Sequence, residues 1–358
     1  MAKNLMMWKK IRQAAARWVL RPLLVAGLVA VLWRNFSGLD LSLVGERIVG
    51  MGLAAILVPL PYAIVFWADT MAWRCTIRSI PAPRVGCVFA VRVATDALLN
   101  SIPGGVAVAE PMRPVLLRRK CGVDITEGIG SCIITKITIA LAQAAFILIG
   151  CILVVWISPG VAAQLGLTTG ARGMAVLAVV AALVVGLLMV PFSGPRIEQS
   201  RRLLARIPIR PLRLMLDRAE PAVARLDSHV GRFARDNAGR LALSIVFAFV
   251  GWIAVAGETF LILRLLGASP TFVQAVALES TASVLRIVFF FLPGGLGASE
   301  VGFVTLLGAF GFPDAITLSA AYIAVKRLKE ALWIAAGYVL LWITGVHPFA
   351  RTNRGEAL

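Results

Sequence analysis

The amino-acid sequence predicts an all-α polytopic membrane protein, with about six transmembrane helices plus two oppositely facing re-entrant helical hairpins arranged as inverted repeats. Three observations predict it. Of the 358 residues, 59% are hydrophobic and only 15% charged, against roughly 45–50% apolar residues in an ordinary soluble domain, and the mean hydropathy is +0.87. Long apolar runs recur along the chain. Two of those runs are broken at their centres by Pro-Gly-Gly. The same arithmetic excludes a soluble globular protein, and it excludes disorder, which needs few apolar residues and unbroken charge.

The hydrocarbon core of a bilayer, about 30 Å thick, needs roughly 20 apolar residues as helix. Six stretches meet that length: 16–34, 48–73, 126–157, 173–192, 241–266 and 314–345. The first follows a basic N-terminus, residues 1–15, and lacks a small-residue cleavage site, so it reads as a retained span. The stretches 87–120 and 271–312 read as hairpins because of their central breaks, although 271–292 alone is long enough to cross, and the alternative that both broken stretches cross stays open. The first membrane half then covers 16–192 and the second 241–345, joined by an Arg-rich segment, 193–240, and followed by a tail, 346–358.

Lys and Arg fix the sidedness, since cytoplasmic loops carry their excess. Lys3, Lys9, Lys10, Arg12, Arg17 and Arg21 place the N-terminus in the cytoplasm. Arg74, Arg78 and Arg84 before the first break, and Arg113, Arg118, Arg119 and Lys120 after it, have the first hairpin enter and leave on that side. The segment 193–240 holds eleven arginines and five acids, so it is cytoplasmic too. The flanks of the second hairpin, 267–271 and 307–314, contain no Lys or Arg, so that hairpin is expected to open outward. The expected location is a bacterial inner membrane, with both termini inside. The formal charge of +18 is then a matter of an anionic membrane surface rather than of nucleic acid.

The two broken stretches are also related residue by residue. At a constant offset of 190, Pro103, Gly104 and Gly105 match Pro293, Gly294 and Gly295; Glu110 matches Glu300; Leu116 and Leu117 match Leu306 and Leu307; Asp124 matches Asp314; Lys136 matches Lys326. Each unit reads span, hairpin, span, and opposite sidedness makes the pair an inverted repeat of the kind transporters use around a midplane site. Irregular backbone at bilayer depth is tolerated only where protein or a wet cavity satisfies it. The breaks therefore predict a cavity, with helix N-termini whose free N–H groups suit an anion such as a lipid phosphate.

From Glu110 to Asp124 is 14 residues and from Asp124 to Lys136 is 12, so at about 1.5 Å per residue the two side chains return to nearly one level. Glu300, Asp314 and Lys326 repeat the spacing, and Asp124 and Asp314 fit the N-cap position of the helices that follow. Charges at such depth cost several kcal/mol unless paired or hydrated. The candidate substrate-binding residues are accordingly Glu110, Lys136, Glu300 and Lys326, with Arg327 and Lys329 completing a cationic patch for an anionic lipid headgroup beside Glu330. The plainer alternative is that Glu110–Lys136 and Glu300–Lys326 are packing salt bridges. Further intramembrane candidates are Arg92, Asp96 and Asn100 before the first break, and Glu258, Glu279 and Arg286 before the second.

In the Arg-rich segment, Leu212, Met215, Leu216, Ala219, Val223, Leu226, Val230 and Phe233 recur at helical spacing among Arg213, Arg218, Arg225 and Arg232. That is an amphipathic helix for the anionic inner leaflet, through residues 195–240, or a cap on the bundle's own cytoplasmic end. The cysteines at 75, 87, 121, 132 and 151 show no CxxC or metal-ligand spacing, so they are expected to be small hydrophobes with no disulfide framework. His229 and His347 have no carboxylates or cysteines at ligand spacing, and no GxGxxG, Walker A or GxSxG occurs. No metal, cofactor or catalytic residue is expected.

The strings PGGVAVAEPMRPVLLRRKCGVD and FLPGGLGASEVGFVTLLGAFGFPDAITLSAAYIAVKRL, from Pro103 and Phe291 onward, resemble the membrane region of the lysylphosphatidylglycerol synthase/flippase family, which includes relatives associated with hopanoid biosynthesis. The second string carries the family's P-G-G-x-G-x-x-E followed by a basic residue in the next span; the first is degenerate, with Val106-Ala107 where Leu-Gly is commoner. The resemblance covers about residues 20–345. It implies a lipid flippase that moves an anionic or polar-headed lipid, phospholipid or hopanoid-related, with Glu110, Lys136, Glu300 and Lys326 as the matching charges. The full synthases add a soluble aminoacyltransferase domain, whereas only HPFARTNRGEAL follows the membrane part here, so lysine transfer is expected to be absent. Two other classes remain open: a scaffold binding lipid-biosynthetic enzymes through 195–240, or a lipid-modifying enzyme with Glu300 as base. A second copy of the chain is a further expected partner.

Overall fold

The computed structural model describes residues 41–79, 81–101, 105–157, 233, 235–288 and 298–343, and every regular element among them is a helix. The expected spans 16–34 and 173–192, the amphipathic segment up to residue 232, and the breaks at Pro103-Gly104 and Pro293-Gly294-Gly295 lie outside the described residues. Helix α1 is Leu41–Gly50. A 3₁₀ turn, Gly52–Leu57, follows, and then α2, Leu60–Thr76. The sequence reading has 48–73 as one even helix, but Gly52 takes a left-handed φ of 53°, and Pro59 and Pro61 restart the chain as α2. Proline lacks the N–H that an uninterrupted ladder would need.

Helices α3, Val85–Ser101, and α4, Val106–Cys121, form a hairpin. A Cys87–Cys121 disulfide closes its open end, with Cα atoms 5.9 Å apart. This corrects the expectation of five free thiols. The two cysteines are 34 residues apart and match no motif, and only the hairpin brings them together; Cys75, Cys132 and Cys151 are free. At the break, a Cβ on Gly105 would run into the carbonyls of Leu98 and Leu99, so the chain reverses there only without a side chain.

Gly122, at φ 71°, stops α4 and donates its N–H to the Arg118 carbonyl at 3.1 Å. Asp124 then caps α5, Ile125–Ile157, by accepting the Thr126 N–H at 2.8 Å. These backbone N–H bonds, that of Thr126 first, hold the Asp124 carboxyl below the usual carboxylate range. The second half runs α6, Ala238–Leu265; α7, Phe272–Val288; α8, Ala298–Ala309; and α9, Ala315–Ile343. Asp314 was expected to cap α9 in the same way. Instead it adopts φ 53°, and its carboxylate pairs with Arg47 of α1 at 3.3 Å.

Among the described residues, three stretches are long and apolar enough to cross a bilayer: Gly52–Thr76, Ile125–Val154 and Ala238–Leu265. Helix α9 is 29 residues long and carries Lys326, Arg327, Lys329 and Glu330 at its middle. Its outer face is apolar: Leu328, Leu332, Val339 and Trp342 are exposed, as a surface against lipid hydrocarbon would be.

The two halves pack as counterparts. Helices α5 and α9 start at Ile125 and Ala315, 190 residues apart. Helix α3 lies on α9, and α7 lies on α5 in the equivalent way. Both crossings use a glycine: a Cβ on Gly337 would strike Ala97 and the Val93 carbonyl, and a Cβ on Gly150 would strike Ser280. Small residues at such points let helices approach closely where water supplies no driving force. At the centre α2 packs on α6, its counterpart. Ser244 donates to the Ala72 carbonyl at 2.9 Å, Arg240 donates to the Ile77 carbonyl, and Trp67 stacks edge-on to Phe247 at 5.6 Å. Residue numbers rise along α2 as they fall along α6, so the equivalent helices are antiparallel. The second half is therefore the first turned upside down.

One core joins Trp73, Val88, Leu98, Leu116 and Leu117 with Leu341 from the far end of α9. Its counterpart joins Leu263, Leu278, Leu306 and Tyr322 with Val154 from the far end of α5. Between α2 and α5, Trp73 Nε1 donates to Ser131 at 3.1 Å and Thr76 bonds Thr135 at 2.8 Å. Arg74, Arg78, Arg84, Arg118, Arg119, Lys120, Arg235 and Arg240 gather at the end of the bundle where the first hairpin opens.

Candidate functional site

In the first half, α2 supplies Asp69 and α3 supplies Arg92, Asp96 and Asn100, the last three on one face by i, i+4 spacing. Arg92 bridges two carboxylates, Nη2 to Asp69 Oδ2 at 2.7 Å and Nη1 to Asp96 Oδ1 at 3.0 Å. Asn100 Nδ2 donates to Asp96 Oδ2 at 2.9 Å. The planar guanidinium suits this bridging task as a lysine would not.

Helix α4 adds Glu110 and Arg113, and α5 adds Lys136. Lys136 Nζ is 2.6 Å from Glu110 Oε2, and Arg113 Nη1 is 3.2 Å from Glu110 Oε1. Arg113 Nε also donates to Thr95 Oγ1 at 3.4 Å, tying this group to α3. Pro111 and Pro114 sit inside α4, so two of its carbonyls lose their helical donors next to the charges. Side-chain exposure is 49% for Lys136 and 22% for Glu110, so this pair lies part-open at the surface of the bundle.

In the second half, Lys326 Nζ lies 3.2 Å from Glu279 Oε1 and donates to Tyr322 Oη at 3.0 Å. Thr259 bonds Tyr322 Oη at 2.9 Å and donates to Glu279 Oε2 at 3.4 Å. Three helices, α6, α7 and α9, are thereby joined. Lys329 Nζ approaches Glu258 Oε1 to 2.7 Å, with both side chains only 1% exposed. The approach is close, but its angles are not those of a hydrogen bond, and both Glu258 oxygens and Lys329 Nζ lack a hydrogen-bond partner among the described residues. Lys329 Nζ also stands 3.6 Å above the ring of Tyr62, from α2. Tyr62, Phe66 and Trp333 pack together there, at 5.0 Å and 4.9 Å between successive rings.

The structure thus brings Glu110 and Lys136 together. The side chain of Glu300 lies outside the described residues, as does that of Arg286. The single cationic patch expected from Lys326, Arg327 and Lys329 is corrected: at about 100° per residue, Lys326 and Lys329 turn inward to different carboxylates, while Arg327 pairs outward with Glu330 at 2.8 Å. Asp69 and Tyr62 were missed by the sequence reading. Asp69 had a signal, as the only carboxylate within the apolar run 48–73; Tyr62 had none, because its role comes from contact with α9. Among the described residues no cluster of His, Cys, Asp and Glu could hold a metal ion.

The family described as the lysylphosphatidylglycerol synthase TM region matches residues 18–325. No curated protein and no solved structure matches the chain.

Proposed function

Because the chain belongs to the lysylphosphatidylglycerol synthase TM-region family, a membrane family with a lipid-related role, we propose that it is a lipid flippase. It moves an anionic or polar-headed lipid between leaflets and makes or breaks no covalent bond in it. The observation that carries this reading is the half-open ionic group Glu110–Lys136–Arg113, set on a broken hairpin between apolar spans. Ionisable groups at that depth mark substrate pathways by default. A passing phosphate exchanges for Glu110 on Lys136 and Arg113, and the acyl chains stay in hydrocarbon. Lys326 and Glu279 offer the second stop in the inverted half.

On this reading both hairpins are re-entrant, the first opening to the cytoplasm where the arginines gather and the second to the outside of an inner membrane. Support comes from the arm of the first hairpin that is bounded at both ends: α4, between Gly105 and Gly122, has 16 residues, or roughly 24 Å, less than the hydrocarbon core of about 30 Å.

The test is reconstitution of the full chain in phosphatidylglycerol/phosphatidylethanolamine vesicles containing fluorescent phosphatidylglycerol, with dithionite quenching of the outer leaflet. Wild type should expose inner-leaflet label, and Glu110→Gln and Lys136→Met should fall toward the protein-free rate. A wild-type rate equal to that of protein-free vesicles would remove the reading.

A further inference from the structure

Glu258 and Lys329 meet at 2.7 Å with side chains 1% exposed, and their remaining lone pairs and protons find no hydrogen bond among the described residues. A buried ion pair loses several kcal/mol of hydration per ion, and its attraction offsets this only when the rest of its hydrogen-bonding capacity is met. Two apolar side chains of the same volume would join α6 to α9 at least as firmly. Packing therefore does not account for the pair, and its surroundings point to another use.

The ammonium of Lys329 rests on the ring of Tyr62, so the pair touches both halves where they meet. The titratable and charged groups facing it are Tyr62 from α2, Glu279 from α7, and Tyr322, Lys326 and Glu330 from α9; α5 packs Phe146 against the preceding turn at Ala256. Lys326, 21% exposed, begins a chain of exchangeable protons through Glu279 and Tyr322 to Thr259, the residue next to Glu258.

We propose that the Glu258–Lys329 pair is a proton-operated latch between α6 and α9, seated where Tyr62 of the first half meets them, and its link to lipid movement rests on the flippase reading above. A hydronium ion from the aqueous side delivers its proton along the Lys326–Tyr322–Thr259 chain, and the last transfer follows rotation of the Glu258 side chain toward the hydroxyl of its neighbour Thr259, which gives up one proton as it gains another. An O–H bond forms on a Glu258 oxygen, the carboxylate becomes neutral, and a water molecule is left behind. Lys329 keeps its own proton and loses its counter-charge, so the contact holding α9 to α6 weakens. Loss of the proton to water restores the pair.

Two measurements on the full chain test this. In the reconstituted vesicles, an imposed pH gradient should speed wild-type lipid movement about 5-fold or more, in the range of ordinary coupling energies. Glu258→Gln should keep the gradient-free rate and lose the acceleration. The double variant Glu258→Gln/Lys329→Met, which strands no charge, should do the same if the single variant folds poorly. A wild type that moves lipid but ignores the gradient, or a Glu258→Gln protein that still responds, overturns the latch and leaves the flippase reading standing. In detergent, Trp333 fluorescence, isolated by subtracting Trp333→Phe, should change with pH in wild type and stay flat in both variants. Identical profiles overturn the latch without reference to transport. A wild-type change lost in both variants, in a protein that moves no lipid, upholds proton uptake and overturns the flippase reading.

Discussion

In the first half Arg92 sits between Asp69 and Asp96 with contacts of 2.7 and 3.0 Å, and Asn100 bonds Asp96 in turn. In the second half Lys329 faces Glu258 in almost complete burial, with hydrogen bonds unmet. The same fold, turned upside down, therefore carries two kinds of charge: one bridged by a guanidinium or partly exposed, the other buried and under-satisfied. Symmetry of backbone has not imposed symmetry of chemistry. A bridged or wetted network tolerates the loss of one member, because water or a second partner covers the vacancy, whereas a dry pair does not.

Removing one partner separates the two kinds most sharply. Lys329→Met should cost about 3–5 kcal/mol by stranding the Glu258 carboxylate. Lys136→Met, at a part-exposed pair, should cost about 0–1 kcal/mol. Thermal unfolding in detergent reads both, and equal losses would break the comparison.

The disulfide is the next difference, since Cys87–Cys121 closes the first hairpin and no equivalent bond joins α7 to α8 among the described residues. Reduction should cost up to about 2–4 kcal/mol. Hydrogen exchange should rise in α3 and α4 and leave α7 and α8 unchanged.

Where the halves are alike, the expected effects are smaller and matched. Gly337→Ala and Gly150→Ala each push a Cβ into the facing helix, an overpacking worth about 1–3 kcal/mol. Similar drops in unfolding temperature would support the pseudo-symmetry; a cost at one site alone would weaken it. Asp124 and Asp314 complete the series. Asp124 has its carboxyl held below the usual range by cap N–H bonds, so its contribution is present above the unfolded carboxylate range and fades as acid carries pH through the lower folded value. Asp124→Asn should retain the cap and remove that acid sensitivity in a melt-versus-pH series.

Much of this architecture was legible because hydropathy and the 190-residue offset act along the chain. Pro-Gly-Gly separated the helix pairs α3–α4 and α7–α8 in the sequence, and the Glu110-to-Lys136 spacing put two side chains at one level on adjacent antiparallel helices. What could not be read depends on which faces meet. Lys326 and Lys329 sit three residues apart, yet their partners, Glu279 and Glu258, come from different helices. Cys87 and Cys121 become neighbours only once α3 and α4 fold back on one another. Tyr62 matters through Lys329, a residue more than 260 positions away. The uneven start of α2 was visible in Pro59 and Pro61, but apolar content masked it.

The most direct test of the central claim, that two equivalent halves lie upside down to one another in the bilayer, is sided labelling of single cysteines in a background with all native cysteines replaced. Lys120→Cys marks the open end of the first hairpin and Pro313→Cys that of the second; both positions are exposed. A membrane-impermeant maleimide added to intact cells should label Pro313→Cys and spare Lys120→Cys, with the pattern reversed in inside-out vesicles. Labelling of both positions from the same face would contradict the inverted arrangement.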